Sequence, residues 1–319
     1  MRRPWLLVSA ALLVAALGAR AEPFPTHPVR IIVAFPPGGG TDIVARLVAQ
    51  PLGELWHQQV FVDNRAGAAG VIGTEAAAAA PPDGYTLLVG TMGNLAVNPH
   101  LYRMHTDPLR DFAPVSQLVN VTLGAMAYPG FAPNSIAELI ALAKAHPGTI
   151  NFSSSGSGGA PHLAGELLKR MAHIDIVHVP YKGSGPSFQD LLGGQVSLTF
   201  DSLVQGLPYI QAGKLKALAV LDATRSPLLP SVPTVGETVP GYQLTNWFGM
   251  VAPAATPPDV LAKIATDVAA TIKRPELSER LAALAAQPVG NTPAEFGATL
   301  RADTEKWGQI VKDAHIRAE

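Results

Sequence analysis

A glycine-rich turn between an apolar run and a helical pattern constrains the fold of this chain more than any other feature. The largely β-branched run at residues 29–35 leads into two prolines and three glycines, residues 36–40, and a helical pattern begins at Thr41. The first turn of a helix has unpaired N–H groups and the positive end of the helix dipole, and glycines let a ligand reach them. The segment therefore predicts a strand, an anion-binding loop and a helix with Thr41 or Asp42 as its N-cap. An ordinary strand-to-helix turn is the alternative.

The same plan recurs in the middle of the chain. Residues 151–163 contain a short strand pattern, a loop of serines and glycines, and a helix start near Pro161. Two such loops in one chain predict a single small anion held between two lobes. Neither loop contains lysine or arginine, so a bound carboxylate would meet neutral donors and helix dipoles. An uncharged amide in place of the carboxylate stays open as an alternative.

Length and composition favour two globular domains and exclude several classes of function. A chain of 319 residues with a formal net charge of −1 is long enough for two hydrophobic cores and has no basic excess that would attract nucleic acid. It has no cysteine, which excludes disulfides, thiolate metal sites and cysteine nucleophiles. We therefore expect no nucleic-acid partner.

The first 21 residues have the pattern of a secretory signal peptide. Arg2 and Arg3 precede an almost wholly apolar run at residues 6–17, and residues 19–21 place alanines on either side of an arginine. We expect cleavage after Ala21 and a mature chain in the periplasm. An uncleaved membrane anchor is the alternative, but the apolar run is shorter than the roughly 20 residues that span a bilayer.

Strand and helix patterns alternate along the mature chain, which predicts an α/β architecture with mostly parallel sheets. Two long extended runs, at residues 112–128 and 247–252, can carry the chain from one lobe to the other and back. We place the first crossing at residues 123–128. Ligands of such sheets lie outside the carboxyl ends of the strands, here in a cleft that closes about the crossings. The predicted domains are residues 22–125 with 246–319, and residues 126–245.

Several short motifs follow one another along the mature chain. They are HPVRIIV at residues 27–33, PPGGGTD at 36–42, NRAG at 64–67, PDGYTL at 82–87, SSSG at 153–156, HLAGE at 162–166, VPYKG at 179–183 and LGGQV at 192–196. In this order and spacing they resemble the Bug family of extracytoplasmic solute receptors, which are related to TctC, the binding component of tripartite tricarboxylate transporters. The resemblance covers essentially the whole mature chain.

The resemblance implies a periplasmic binding protein fold, type II-like, in which two α/β lobes joined by crossing strands enclose a ligand cleft. It implies a receptor and not an enzyme, with no cofactor and no metal. The ligand would be a small di- or tricarboxylate, an acidic amino acid or an aromatic carboxylate. The partner would be a membrane permease of the tripartite tricarboxylate transporter type or a sensor kinase, and we expect a monomer.

The resemblance also assigns ligand contacts to the two loops. In family members, main-chain and hydroxyl donors of these loops hold one ligand carboxylate. The matching positions are Phe35, Gly38, Gly39, Thr41 and Asp42 in the first loop and Ser153, Ser155, Gly156, Gly158 and His162 in the second. Further polar residues expected in the cleft, where they would set selectivity, are Asn64, Thr91, Asn94, Tyr181, Lys182, Asp201 and Ser202.

Three other interpretations of these residues stay open. A dinucleotide-binding enzyme is suggested by Asp63, roughly 20 residues after the first glycines, although the third glycine of that motif is absent. A serine hydrolase would use Ser157 or Ser184, but neither lies in a G-x-S-x-G motif. His162 and Glu166 are one helical turn apart and could bind a metal, although such a pair is more often a helix-surface contact.

Overall fold

The structure, a computed structural model, describes residues 24–313 and 316–317. The predicted signal peptide, residues 1–21, and its cleavage site after Ala21 lie outside these residues. Within the described part of the chain, no helix is both long enough and apolar enough to cross a membrane.

The described residues form a mixed α/β fold of two sheets with helices packed against them. The strands are β1 (Val29–Val33), β2 (Val60–Asn64), β3 (Thr86–Thr91), β4 (Phe112–Val121), β5 (Leu123–Ala127), β6 (Asn151–Ser154), β7 (Val177–Pro180), β8 (Leu198–Ser202), β9 (Lys216–Val220), β10 (Asn246–Pro253) and β11 (Ala286–Pro288). The helices are α1 (Gly40–Trp56), α2 (Val71–Ala78), α3 (Pro108–Asp111), α4 (Ile136–Ala145), α5 (Ala160–Ala172), α6 (Ser184–Leu192), α7 (Leu203–Gln211), α8 (Pro258–Ile272), α9 (Pro275–Ala282) and α10 (Pro293–Asp313). Single 3₁₀ or π turns lie at Ala68–Gly70, Gly93–Val97, Asn98–His100 and Val235–Glu237.

Each sheet combines parallel and antiparallel strands. The first has the order β11-β4-β10-β3-β1-β2 and the second the order β7-β6-β8-β5-β9. β1 runs parallel to β2 and β3, and β6 runs parallel to β7 and β8, whereas β10 and β5 pair antiparallel with their neighbours. β1 and β3 are buried along nearly their whole length, as parallel strands covered by helices on both faces are. The predicted α/β architecture is confirmed, but the prediction of mostly parallel sheets is wrong. Five of the nine strand pairs among the described residues are antiparallel, because β4, β5 and β10, the strands next to the passages between the sheets, form only antiparallel pairs.

The chain passes between the sheets twice. Thr122 alone separates β4 in the first sheet from β5 in the second, and the chain returns between the end of β9 and the start of β10. The extended run is two strands because the Thr122 N–H donates to the Ala285 carbonyl and its carbonyl accepts from the Leu203 N–H. The first passage therefore lies one residue before the predicted segment 123–128. The predicted lobe boundaries themselves stay a prediction.

Helix α1 begins at Gly40, at least two residues earlier than its predicted N-cap allows. Its N-cap is Gly39, so the prediction of Thr41 or Asp42 at that position is wrong. A glycine has no side chain that could cap the helix. Instead Asp42, in the first turn, reaches back and accepts a hydrogen bond from the Gly38 N–H at 2.9 Å. The carboxylate thereby takes over the capping role from inside the helix.

The core fixes the direction in which α1 points. Val44, Val48 and Leu52 lie on one face of the helix at four-residue spacing and are fully buried. Each contributes roughly 1.5–3 kcal/mol through burial of its side chain. At the far end, the Trp56 Nε1 donates to Asp267 on α8 at 2.6 Å. The N-terminus of α1 is thus aimed at the second lobe by packing elsewhere in the first.

Candidate functional site

A cavity of about 40 Å³ lies between the two lobes, at the carboxyl ends of β1, β3, β6 and β8. It is lined by Phe35, Gly39, Gly40, Thr41, Thr91, Ser155, Gly159, Ala160, Pro161, Ser184, Asp201, Ser202, Asn246 and Phe248. One water needs about 10–15 Å³ of such space, so the cavity has room for about three waters or one carboxylate group. The edge at the carboxyl ends of strands is where ligands of α/β sheets bind.

Four helices begin at the wall of this cavity. α1 and α5 begin at Gly40 and Ala160, α6 begins at Ser184, and α7 begins directly after Ser202. Each brings the N–H groups of its first turn, which have no partner within the helix, and the positive end of its dipole. Among the described residues that line the wall there is no lysine or arginine. The cavity therefore offers an anion neutral donors and positive dipole ends.

The lobes touch around the cavity, and two glycines permit the close approach. A Cβ atom on Gly40, in the first lobe, would lie 3.0 Å from the Ser202 Oγ in the second. A Cβ atom on Gly183, whose φ is 129°, would overlap the ring of Pro36 across the cleft. A larger side chain at either position would hold the lobes apart.

The first glycine loop is held by the carboxylate of Asp42. One oxygen accepts from the Gly38 N–H at 2.9 Å and from Arg46 at 3.0 Å, and the other accepts from Asn64 at 3.0 Å. Asn64 also donates to the Phe35 carbonyl at 2.9 Å, which joins the loop to the end of β2. Burial of Asp42 opposes its ionisation, but these hydrogen bonds and the nearby guanidinium outweigh burial and hold its pKa below the ordinary value.

The second glycine loop is held by neutral groups. The Gly158 N–H donates to the His162 Nδ1 at 3.0 Å, and the His162 ring stacks on His178 with centroids 4.0 Å apart. The His178 Nε2 lies 2.7 Å from the Ser154 hydroxyl, which accepts from the Gly156 N–H at 3.1 Å. Burial lowers the pKa of His162 to about 4, and burial with the neighbouring imidazole lowers that of His178 to about 3. Both rings are therefore uncharged at neutral pH.

Two further networks hold the strand ends that carry the loops. The N–H and hydroxyl of Thr91 donate to the Asn94 Oδ1 at 2.7 and 2.9 Å, and the Asn94 Nδ2 donates to Thr74 at 2.8 Å. In the second lobe, the Ser187 hydroxyl donates to Ser153 at 2.7 Å. Asn94 and Ser153 are fully buried, so both act within the wall and not on its surface.

Among the described residues on the cavity wall, Asp201 is the only one with an ionisable side chain. One carboxyl oxygen accepts from the Ser184 hydroxyl at 2.7 Å and the other from the Ser202 N–H at 2.7 Å. The side chain is 3% exposed, and burial raises the pKa of Asp201 to about 6 because the two hydrogen bonds offset only part of the lost hydration. This carboxyl group is thus easier to protonate than an ordinary aspartate.

A second pocket of about 310 Å³ adjoins the cavity and shares Phe35 and Ser155 with it. Ala68 and Ala69 on its wall have φ values of 45° and 51°, a conformation that costs an alanine roughly 1–2 kcal/mol. Lys182 lies at its edge and is exposed to solvent. The other lining residues are Ala34, Gly67, Gly70, Tyr102, Gly156, Ser157, Pro180 and Tyr181. A small elongated molecule could place one end in the cavity and the other in this second pocket.

Two buried polar atoms on these walls have no hydrogen-bond partner among the described residues. They are the Asn246 Oδ1 on the cavity and the Ser157 Oγ on the second pocket. Both residues are 4% exposed. Because buried polar atoms are nearly always paired, these two atoms are candidates for hydrogen bonds to a ligand.

The structure places the predicted site residues in two groups. The first group lines the cavity or the second pocket and comprises Phe35, Gly39, Thr41, Thr91, Ser155, Gly156, Tyr181, Lys182, Asp201 and Ser202. The second group lies behind the walls and holds them by hydrogen bonds, and it comprises Gly38, Asp42, Asn64, Asn94, Ser153, Gly158 and His162. Contact with a ligand stays a prediction for all of them.

Several wall residues are missed by the sequence reasoning. Ser184 is the first residue of α6 and belongs to a third glycine-rich stretch, residues 183–186, which is the same kind of signal that identified the other two loops. Ser157 lies within the second loop and is distinguished there only by its unpartnered hydroxyl. Asn246 and Phe248 lie on β10, a strand buried along its whole length, where no sequence pattern marks a ligand contact.

The residues behind the other interpretations have different partners. The Asp63 carboxylate, proposed as a ribose ligand, accepts from Arg65 at 2.9 Å. The Ser184 hydroxyl donates to Asp201 and not to a histidine base. The Glu166 carboxylate accepts from a lysine in the next turn at 2.9 Å, and no group of three or more metal-ligating side chains occurs in the part of the chain that the structure describes.

Comparison with known proteins agrees with this geometry. Residues 44–316 match the model of the tripartite tricarboxylate transporter family receptor, TctC. The chain is also 36% identical to Protein BugT of Bordetella pertussis, over 97% of this chain and 97% of that protein.

Two solved structures share the fold at high similarity. One, described as a periplasmic transporter, is 39% identical with a TM-score of 0.90 and covers 93% of this chain and 100% of its own. The other, Rpa4515 of R. palustris with adipate, is 37% identical with a TM-score of 0.90 and covers 92% of this chain and 99% of its own. The predicted two-lobe fold and the predicted family are confirmed. The chain therefore belongs to the TctC receptors of the tripartite tricarboxylate transporter family, which are periplasmic solute-binding proteins.

Proposed function

We propose that this protein captures a small dicarboxylate between its two lobes in the periplasm. It acts as a monomer, without a cofactor and without catalysis, after its signal peptide has been cleaved at Ala21. It then passes the ligand to a membrane permease of the tripartite tricarboxylate transporter type or, as the alternative, reports its presence to a sensor kinase.

The convergence of four helix N-termini on a wall that has no lysine or arginine among its described residues is the observation that carries the proposal. A hydrogen bond to a charged group contributes roughly 1.5–3 kcal/mol, and a helix dipole contributes up to about 2 kcal/mol. Three or four such contacts, less the entropy cost of association, reach the roughly 8 kcal/mol of micromolar binding. A carboxylate can therefore be held in the cavity without a salt bridge.

The second pocket supports a ligand with two acidic ends. It adjoins the cavity at Phe35 and Ser155, and its lining includes the Ser157 hydroxyl and the Lys182 ammonium as donors for a second carboxylate. The similar Rpa4515 of R. palustris was solved with adipate, a linear dicarboxylate. A molecule of this kind matches the two adjoining spaces.

A hydrolase function is less well supported by the same residues. Ser154 does bond to the imidazole of His178, but Ser154 is fully buried and does not line the cavity. The pKa of His178 is lowered to about 3, chiefly by burial, so its imidazole is a weak base. This pair supports the glycine loop instead.

A thermal-shift assay with adipate tests the proposal. A ligand at about 100 times its Kd stabilises the folded state by about 2.7 kcal/mol, which raises the melting temperature of a chain of this size by about 5 °C. Adipamide, which has the same length without charge, should give a smaller shift. If no mono-, di- or tricarboxylate gives a shift at millimolar concentration, the proposal is contradicted.

A substitution at the second pocket separates its role from that of the cavity. Because Lys182 is exposed, replacing it by methionine should weaken adipate binding by only about two- to fivefold. Hexanoate, which has the chain length of adipate but one carboxylate, should bind the variant and the wild type almost equally. If the variant lost the same affinity for adipate and for hexanoate, the second carboxylate of adipate would not lie near Lys182.

A further inference from the structure

We propose that the receptor binds its carboxylate ligand together with one proton, which stays on the Asp201 carboxyl group and forms a hydrogen bond to the ligand. This inference rests on the proposed function, because it concerns the same cavity and the same class of ligand. It adds that binding weakens as the pH rises, although the ligand itself stays fully ionised.

Asp201 occupies the wall of the space that the ligand carboxylate would enter. Its two oxygens accept from the Ser184 hydroxyl and the Ser202 N–H, each at 2.7 Å, and its side chain is almost completely buried. A carboxylate oxygen has two acceptor positions, so each oxygen keeps one position for a further donor or for a proton. An ionised Asp201 would present a negative charge to the incoming anion.

Among the described residues, no cation on the strands packed around Asp201 neutralises that charge. β5 and β6, the strands on either side of β8, contain no ionisable side chain. β9, beyond β5, has Lys216 at its far end, where the ammonium binds Asn134 at 2.8 Å. Asp222, just after β9, is half-buried and bonds to Thr122. None of these groups lines the cavity.

The described helices packed around the cavity likewise bring no cation to Asp201. On α1, the Asp42 carboxylate is turned toward Arg46 and away from the cavity wall. On α5, His162 accepts from the Gly158 N–H and is uncharged. The Lys182 ammonium, on the loop before α6, lies at the second pocket. The ligand carboxylate and Asp201 would therefore be two like charges in one closed space.

Two carboxyl groups in such a space cannot both be ionised without a large penalty, and sharing one proton removes it. The proton comes from solvent, binds one Asp201 oxygen, and is donated in a hydrogen bond to an oxygen of the ligand. No covalent bond within the ligand forms or breaks. Burial has already raised the pKa of Asp201 to about 6, so its protonated and ionised forms are close in free energy near neutral pH.

The other possibility is that Asp201 stays ionised and accepts a hydrogen bond from an ammonium or hydroxyl group of the ligand. Such a ligand would take up no proton, and its binding would require the charge of Asp201. Adipate has no donor of this kind at neutral pH. It is therefore the probe that distinguishes the two possibilities.

Calorimetric titration with adipate at pH 6.5, 7.5 and 8.5, in buffers with different ionisation enthalpies, tests the inference. Both adipate carboxylates are ionised throughout this range. We expect the wild type to take up close to one proton per adipate at the upper pH values and to lose affinity by about tenfold per pH unit. Asp201→Asn keeps an acceptor for Ser184 but has no charge, so its affinity should not change with pH and it should take up no proton.

Asp222→Asn is the matched control, since it removes a half-buried aspartate that does not line the cavity. This variant should keep the pH dependence of the wild type. The proton count of the wild type decides the question even if Asp201→Asn does not fold.

If the wild type binds adipate with the same affinity at every pH and takes up no proton, the inference is overturned and the proposed function stays intact. Loss of adipate binding at every pH in a folded Asp201→Asn, without proton uptake by the wild type, would identify Asp201 as an ionised acceptor and also overturn it. If neither adipate nor any other carboxylate binds the wild type at pH 6.5, the proposed function fails and the inference fails with it.

Discussion

The two glycine loops that face the cavity have the same backbone plan and opposite chemistry. In each, an extended glycine N-cap precedes the helix, at Gly39 before α1 and at Gly159 before α5. In each, the N–H one residue earlier, at Gly38 or Gly158, donates to the side chain four residues on. That acceptor is the carboxylate of Asp42 in the first loop and the neutral imidazole of His162 in the second.

Both acceptors have the protonation state that a helix N-terminus favours. The dipole stabilises the negative charge of Asp42 and opposes a positive charge on His162. Consistently, the pKa of Asp42 is held below its ordinary value by its hydrogen-bond donors, and burial lowers the pKa of His162 to about 4. The same geometry can therefore be stabilised by an ion or by a neutral ring, and the two loops should respond differently to substitution and to pH.

Substitutions at the first helical residue after each loop should show the largest difference in their effect on adipate affinity. A Cβ atom on Gly40 would lie only 3.0 Å from the Ser202 Oγ, whereas the second loop has Ala160 at the equivalent position. Gly40→Val should weaken adipate binding by at least about 100-fold, because the side chain fills the cavity and holds the lobes apart. Ala160→Gly should weaken it by less than about fivefold, the cost of a more flexible helix start.

Calorimetry measures both affinities, and circular dichroism checks that the variants are folded. Equal effects of the two substitutions would show that the lobes do not close on Gly40.

Removing the charged acceptor should cost more stability than removing a similar exposed charge. Asp42→Ala leaves the Gly38 N–H and the Asn64 amide without their acceptor and should lower the free energy of unfolding by about 3 kcal/mol at pH 7. Asp63→Ala, at the end of β2, removes a carboxylate whose side chain is 26% exposed and should cost less than about 1 kcal/mol. Urea unfolding of both variants measures the difference. A similar cost for both would mean that the Asp42 network is not structural.

Acid should weaken the second loop before the first. Between its ordinary value of 6.5 and about 4, His162 binds a proton in the unfolded chain but not in the folded one, so stability falls as the pH falls. For one histidine this amounts to about 2 kcal/mol between pH 7 and pH 5. Asp42 contributes nothing to this change, because its pKa lies below 3.8 and its carboxylate is ionised at both pH values.

His162→Asn isolates the contribution of the imidazole, since its amide oxygen can still accept from the Gly158 N–H. We expect this variant to lose about 2 kcal/mol less stability than the wild type between pH 7 and pH 5, measured by urea unfolding. The raised pKa of Asp201 acts in the opposite direction below about 6, and it cancels when variant and wild type are compared. Identical pH profiles would show that His162 is protonated in the folded protein.

The smallest effect on stability should come from Ala69, in the 3₁₀ turn that faces the second loop. Ala69 has a φ of 51°, and its Cβ lies 3.2 Å from where a Cβ on Gly156 would be. Ala69→Gly should raise the free energy of unfolding by about 1 kcal/mol, because glycine adopts this conformation without strain. Thermal unfolding measures the gain. A loss of stability would indicate that the methyl group contributes packing worth more than the strain.

Local patterns were sufficient to predict the parallel parts of both sheets and the two loops. The β-branched run at β1 and the glycines after it specify a strand and a helix start without any distant contact. The N-cap prediction failed because Asp42 is a good capping residue by composition, yet here it caps from inside the first turn. β11 has no alternating pattern and exists because Ala286–Pro288 pairs with the exposed edge of β4.

The rest of the candidate site depends on contacts between distant segments. Asn246 reaches the cavity because β10 crosses back between β3 and β4, and nothing near it in the chain signals this. The stack of His162 on His178 joins α5 to β7, so neither histidine can be assigned a supporting role from its neighbours in sequence. A third glycine loop at Ser184 was visible and could have been included by the same rule that identified the other two.

A crystal structure of the adipate complex would show whether the two helix N-termini hold a ligand carboxylate between the lobes. We predict one adipate carboxylate in the cavity, within hydrogen-bond distance of first-turn N–H groups of both α1 and α5, with the other carboxylate in the second pocket. The account would be contradicted by adipate bound outside the cleft, or by an adipate whose carboxylates contact only lysine or arginine side chains and neither helix N-terminus.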